Sequence, residues 1–189
     1  MTNPFPAFLL LQGRAVLVVG AGPVAASKIG SLLEAGARVT VVAPQMRPEV
    51  EAAAVTRVRR AFQPEDLDGC WFAVAAATPE VNLAVSRAAE ERHVFVNAVD
   101  DLAAASAWLG GVVRRGGVTV AISTGGRAPA LAGLLREALD SLLPDDLGEW
   151  REEAERLRPA WRAERVPIGD RRPLLLRALQ RLYADRSAA

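Results

Sequence analysis

The chain has 189 residues, 51% apolar and 24% charged, with a net charge of +1; this is a globular chain of one domain, or one with a small appendage, and not a disordered one. A single cysteine, Cys70, and a single histidine, His93, exclude a disulfide framework and the usual zinc or iron–sulfur ligand sets, so no resident metal is expected. No stretch of about 18 apolar residues is free of charge, and the apolar start Phe5–Leu11 lacks a basic flank and a cleavage site, so a cytoplasmic protein without a membrane span is expected.

Residues 15–19, Ala-Val-Leu-Val-Val, form an apolar run of strand length, the pattern of a strand buried on both faces of a parallel sheet. It runs into Gly20-Ala21-Gly22, after which Val24, Ala25, Ile29, Leu32 and Leu33 recur at helical spacing up to Gly36. A second strand, Val39–Ala43, ends at Pro44. Strand, glycine turn, helix and strand in about 30 residues make a βαβ unit. Val55–Val58 predicts a third strand, Trp71–Ala77 a fourth, Pro79–Arg92 a helix, and Val94–Val96 a strand running to Asn97-Ala98-Val99-Asp100. The alternation predicts an α/β fold, a Rossmann-like doubly wound parallel sheet.

After Asp100 the rhythm changes. Leu109–Val113 and Val118–Ser123 read as an antiparallel hairpin linked by Arg114-Arg115-Gly116-Gly117. A helix from about Pro129 to Leu143 follows, with Leu131, Leu134, Leu135, Leu139 and Leu142 on one stripe. Beyond Asp145 only helical patterns appear, with breaks expected near Pro159 and at Pro167-Ile168-Gly169. Expected boundaries are therefore 1–109 for a dinucleotide-binding domain, 110–143 for a small α+β segment suited to dimerisation, and 144–189 for a helical C-terminal segment. Residues 151–189 carry ten arginines against six acids, suited to an acidic ligand or to solvated helix faces. It lacks the interleaved aromatics of a nucleic-acid surface, so neither nucleic acid nor membrane is an expected partner.

Gly20-x-Gly22-x-x-Ala25 fits the dinucleotide fingerprint and sits between a strand and a helix. The first glycine permits the turn, the second lets backbone approach a pyrophosphate, and the small third residue lets helix and strand pack closely. Pro23 and Val24 complete the candidate loop. The acid expected about 20 residues on, at the end of the second strand, is absent, because the chain there reads Val42-Ala43-Pro44-Gln45. Pro44 backbone and Gln45 are left to hold the ribose. No arginine directly follows the strand, although Arg47 is near; NAD is expected rather than NADP.

These residues resemble a known family. Phe5-Pro6-x-Phe8-Leu9-x-Leu11-x-Gly13-Arg14, the glycine loop through Lys28, Glu34–Pro44, Ala75–Thr78, Asn97-Ala-Val-Asp100, Ala121–Pro129 and Leu134–Glu137 are similar to precorrin-2 dehydrogenase, the dehydrogenase module of sirohaem synthase. The resemblance covers roughly residues 5–143. It implies NAD-dependent oxidation of precorrin-2 to sirohydrochlorin, in some members followed by insertion of ferrous iron. It also implies a homodimer in which the segment after Asp100 exchanges contacts between subunits. Asp100 is then the catalytic residue, and Thr78 and Asn97 join the cofactor site. Two departures stand out: Ala107-Trp108-Leu109-Gly110 where the family commonly has Phe-Ile-x-Pro, and Ala128 where a serine is usual.

Removing a hydride and a proton from precorrin-2 needs a proton acceptor. Asp100, at the C-terminal end of a strand, could serve if partly buried; as a bland alternative it caps a turn beside Asp101. The polycarboxylate substrate calls for cationic, N–H-rich surroundings, which Ser123, Thr124, Gly125, Gly126 and Arg127 supply ahead of a helix. Two other functions stay open on the residues: a nucleotide-sensing regulatory Rossmann domain without catalysis, and a chelatase only.

Overall fold

Val16 and Val18 point to one face of the first strand and Leu17 and Val19 to the other, and all four are buried. That two-sided burial is why the run carries no polar alternation. The computed structural model describes residues 4–187, and the chain divides into two compact units between Leu109 and Gly110.

The first unit is a five-stranded parallel sheet. Its strands are β1 (Ala15–Val19), β2 (Arg38–Val42), β3 (Thr56–Val58), β4 (Phe72–Ala75) and β5 (Phe95–Ala98), in the order β3-β2-β1-β4-β5. Val19 lies in register with Val42 on one side and Ala75 on the other. The chain builds outward from β1 to β3, then returns to β4 and β5 on the opposite side, leaving a switch point between β1 and β4. Helices α1 (Pro23–Glu34), α2 (Pro48–Ala52) and α3 (Pro79–Glu91) connect them. On one face Val16, Val18, Val41 and Val74 pack with Ala25, Ile29 and Leu32 of α1. On the other, Leu17, Val19, Val42 and Ala75 pack with Leu67 and with Val85 and Ala89 of α3. Each of the valine, leucine and isoleucine side chains contributes about 1.5–3 kcal/mol by leaving water. His93 closes α3: at φ 56° it turns the chain so that Val94 N–H donates to Ala89 O at 2.9 Å.

The second unit opens with a hairpin of β6 (Gly111–Arg115) and β7 (Val118–Ile122), Val113 facing Val120. The expected link began at Arg114, but both arginines are in the strand, and the turn is Gly116-Gly117 at φ 55° and 76°. Two left-handed residues match the twist of the strands, which arginine at those positions would not. Three helices follow: α4 (Pro129–Leu142), α5 (Leu147–Ala163) and α6 (Ile168–Ser187). The expected break near Pro159 is not present, and α5 runs through it. Pro159 is exposed, so the carbonyl it orphans one turn back can turn to water. Arg115, 24% exposed, donates to the Leu143 carbonyl and to Asp140 Oδ1 at 3.0 Å, tying β6 to the end of α4. Arg151 Nε donates to Gly116 O at 3.0 Å, fixing α5 to the turn. Trp150 Nε1 donates to the Tyr183 hydroxyl at 2.6 Å, with the rings edge-on, joining α5 to α6. Among the described residues no helix is long and apolar enough to cross a membrane.

Candidate functional site

The C-terminal edge of the parallel sheet gathers the candidate residues of the first unit. Gly20 leaves β1 at φ 103°, its N–H donating to Val42 O at 2.9 Å. A β-carbon there would collide with the Ala76 backbone, so only glycine permits this crossing at the switch point. Gly22 differs: it precedes α1 at φ −80°, and a β-carbon on it would meet nothing within 4 Å. That open space lies at the start of a helix with no side-chain cap and no acid in its first turn. Pro23 and Val24 are exposed beside it, while Ala25 is wholly buried against the sheet. A helix end with unclaimed N–H groups and room before it fits a pyrophosphate. The first turns of α2 and α3, by contrast, carry Glu49 and Glu51, and Glu80.

Pro44 and Gln45 follow β2 and are exposed. The loop they begin touches the glycine loop, since Arg47 N–H lies 3.4 Å from Ala21 O. Thr78 precedes α3 across the switch point, but its side chain hydrogen-bonds to the Glu80 carboxylate. Glu80's own backbone N–H and that hydroxyl hold the carboxyl below its usual range. Asn97 is buried in β5, where its Nδ2 donates to Ala107 O at 3.0 Å. Its amide thus braces the chain after β5.

Asp100 follows β5 after Val99, whose N–H extends the ladder to Ala75 O at 2.9 Å. It adopts φ 60° and is exposed. The partial burial expected of a general base is therefore not seen at Asp100 among the described residues. Its neighbour takes the capping part: Asp101 Oδ1 accepts from the N–H groups of Ala103 and Ala104 at 3.0 and 3.1 Å. Turn-shaping and exposed carboxylate are thus divided between two adjacent aspartates.

One residue of this edge escaped the sequence reading. Asn82 is buried in α3, and its Oδ1 accepts the Ala77 N–H at 2.9 Å, shaping the turn between β4 and α3. The available signal was a polar residue on the apolar stripe of Val85 and Ala89.

In the second unit, Gly125 and Gly126 turn at φ 64° and 72°, and Gly125 N–H donates to Ser123 Oγ at 3.2 Å. Thr124 Oγ1 donates to Ala128 O at 3.0 Å, so this hydroxyl closes the loop onto the start of α4. Ser123, Gly126 and Arg127 are exposed, and the first turn of α4 holds no acid. Gly110 stands where the departure from the family pattern falls: a β-carbon there would strike the Ile122 carbonyl.

A family model described as putative NAD(P)-binding matches residues 7–110, and one described as sirohaem biosynthesis protein central matches residues 115–142. Siroheme synthases of Citrobacter koseri and Escherichia coli O157:H7 are 44% and 43% identical over 172 residues, covering 88% of this chain. The chain spans 38% of the length of these relatives. A solved structure of SirC, a precorrin-2 dehydrogenase, is similar at a TM-score of 0.71 and 27% identity, over 92% of this chain and 88% of that one. With a family model matched over more than half of its length, the chain belongs to the putative NAD(P)-binding family and continues into a sirohaem biosynthesis protein central region.

Proposed function

We propose that this chain oxidises precorrin-2 to sirohydrochlorin with NAD. The observation that carries the reading is the placing of an open, acid-free helix end at Gly22 and an exposed carboxylate at Asp100 on the same edge of one sheet. Likeness to a precorrin-2 dehydrogenase over nearly the whole chain supports the choice of substrate.

The bound dinucleotide supplies the hydride acceptor. The chain's own part is to hold it and to dispose of the proton. Gly20, Gly22, Pro23, Val24 and Ala25 form the cradle, with the first N–H groups of α1 donating to the pyrophosphate. Pro44 and Gln45 border the ribose, and Thr78 and Asn97 shape the far side. One C–H bond of the substrate gives up its hydride, a second hydrogen leaves as a proton, and a double bond forms. Asp100 accepts that proton. Its carboxylate becomes an effective base once substrate, or a second copy of the chain, excludes water from the strand end. Ser123, Thr124, Gly125, Gly126 and Arg127 bind substrate carboxylates through N–H, hydroxyl and guanidinium groups.

The exposed leucines of α4 support a homodimer. Leu131, Leu134, Leu135 and Leu142 leave an apolar stripe in water on the single chain, a surface that a symmetric partner would cover. Insertion of ferrous iron as a second substrate is an additional step that this reading allows, with Asp100 taking the protons that the macrocycle loses. Incubating the purified chain with precorrin-2 and NAD, with and without ferrous or cobaltous ion, separates the readings. Sirohydrochlorin formed only with NAD supports the dehydrogenase. Metal insertion into supplied sirohydrochlorin without NAD-dependent oxidation indicates a chelatase only, and tight NAD binding with neither reaction indicates a sensor.

A further inference from the structure

The adenosine end of the cofactor edge holds three arginines, although only Arg47 stands out in the sequence near the second strand. Arg47 follows β2, while Arg59 and Arg60 follow β3, the immediate neighbour of β2 in the sheet. Ala43 N–H donates to Val58 O at 3.1 Å, so the two strand ends run out together. Arg47 N–H also lies 3.4 Å from Ala21 O, which sets this loop beside the glycine turn. Guanidinium groups at the end of the second strand ordinarily receive the 2′-phosphate of NADP.

Here each of the three guanidinium groups meets an acid, although Glu51 is shared with Arg57. Arg47 Nε lies 3.5 Å from Glu49 Oε2. Arg59 Nη2 donates to Glu51 Oε1 at 2.5 Å, and Glu51 Oε2 lies 3.6 Å from Arg57 Nε. Arg60 donates to both oxygens of Asp66, at 2.8 and 2.5 Å. Arg57 is held besides by the carbonyls of Val50, Glu51, Ala53 and Val55, which keeps it on the end of α2. The usual discriminator, an acid closing β2 and accepting from the ribose hydroxyls, is missing from Val42-Ala43-Pro44-Gln45.

We propose that Glu49 is the specificity-determining residue of this site, rejecting NADP by neutralising Arg47, with Glu51 doing the same for Arg59. A 2′-phosphate arriving beside Gln45 must displace Glu49 from Arg47 or place its negative charge next to the Glu49 carboxylate. NAD, with a neutral hydroxyl there, meets no such opposition. The inference rests on the NAD reading above, and it replaces the absence of a nearby cation with the presence of neutralised ones.

Titration calorimetry with NAD and with NADP on the full chain tests it, using Glu49→Gln, Arg47→Ala and the double variant. Arg47 and Glu49 are both exposed, so the substitutions leave the core untouched. The ratio of NADP to NAD affinity should rise about two- to fivefold in Glu49→Gln, the scale of one exposed charge pair, and the gain should vanish in the double variant. An unchanged ratio in Glu49→Gln, or a gain that survives loss of Arg47, would overturn the inference while leaving NAD binding intact. Wild-type protein that binds neither dinucleotide would instead overturn the cofactor reading, and this inference with it.

Discussion

Gly20 and Ala76 meet backbone to backbone: a β-carbon on Gly20 would lie 2.7 Å from the Ala76 carbonyl carbon. Two residues further on, Gly22 has nothing within 4 Å of the same added atom. The two glycines of one fingerprint therefore differ: the first is demanded by the fold, and the second leaves open the room that the proposed dinucleotide would take.

Their variants should separate accordingly. Gly20→Ala must shift the β4–α3 turn and leave φ 103°, so its melting temperature should fall. Gly22→Asp should melt at or above the wild-type temperature, because aspartate is a good helix cap. It should nonetheless lose NAD binding through the anion it puts in the pyrophosphate's place. Thermal scans and calorimetry on the two proteins check this; normal NAD affinity in Gly22→Asp would contradict it.

The adjacent aspartates give a second pair. Asp100→Asn keeps shape at φ 60°, which asparagine tolerates, but removes basicity. Turnover should fall about 10²–10⁴-fold with an unaltered melting temperature. Asp101→Ala loses two backbone acceptor contacts and should cost about 1 kcal/mol of stability, with Asp101→Asn restoring most of it. Steady-state rates and melting curves for the three variants distinguish proton transfer from turn-making.

Association should depend on the leucine stripe of α4. Leu134 is 65% and Leu142 76% exposed on the single chain. Light scattering should give twice the 20.1 kDa chain mass for the wild type and a single chain mass for Leu134→Glu. A wild-type monomer at micromolar concentration would remove the homodimer from the account.

A pH effect follows from Asp66. The Arg60 guanidinium, and secondarily the Gln63 N–H, hold its carboxyl below the usual carboxylate range. A depressed value in the folded chain means that its contribution is complete above the unfolded value of about 3.9 and fades as pH falls through the folded one. Asp66→Asn should therefore lower the melting temperature at pH 7, and the gap from wild type should narrow in acid. A gap that stays constant from pH 7 to about pH 3 would contradict the linkage.

The parallel sheet was legible because buried strands leave unbroken apolar runs, as at Ala15–Val19, and because the glycine loop marks where the first one ends. Shorter pieces were not: α2 has five residues, too few to display a helical period. Arg114 and Arg115 looked like turn residues because charge usually marks a loop. Arg115 instead lies half-buried against Asp140 and Leu143, contacts 25 residues or more away that no local pattern reveals. The site was legible at its glycines and strand ends, where backbone geometry demands particular residues. The partners of Asn97, Thr78 and Arg59 were not, since each depends on which segments the fold brings alongside.

The most direct test of the central claim is product stoichiometry. Under anaerobic conditions the purified chain, given precorrin-2 and NAD, should form NADH and sirohydrochlorin in equal amounts, and Gly22→Asp should form neither. Sirohydrochlorin appearing without matching NADH, or equally in Gly22→Asp, would contradict hydride transfer to a dinucleotide held at this loop.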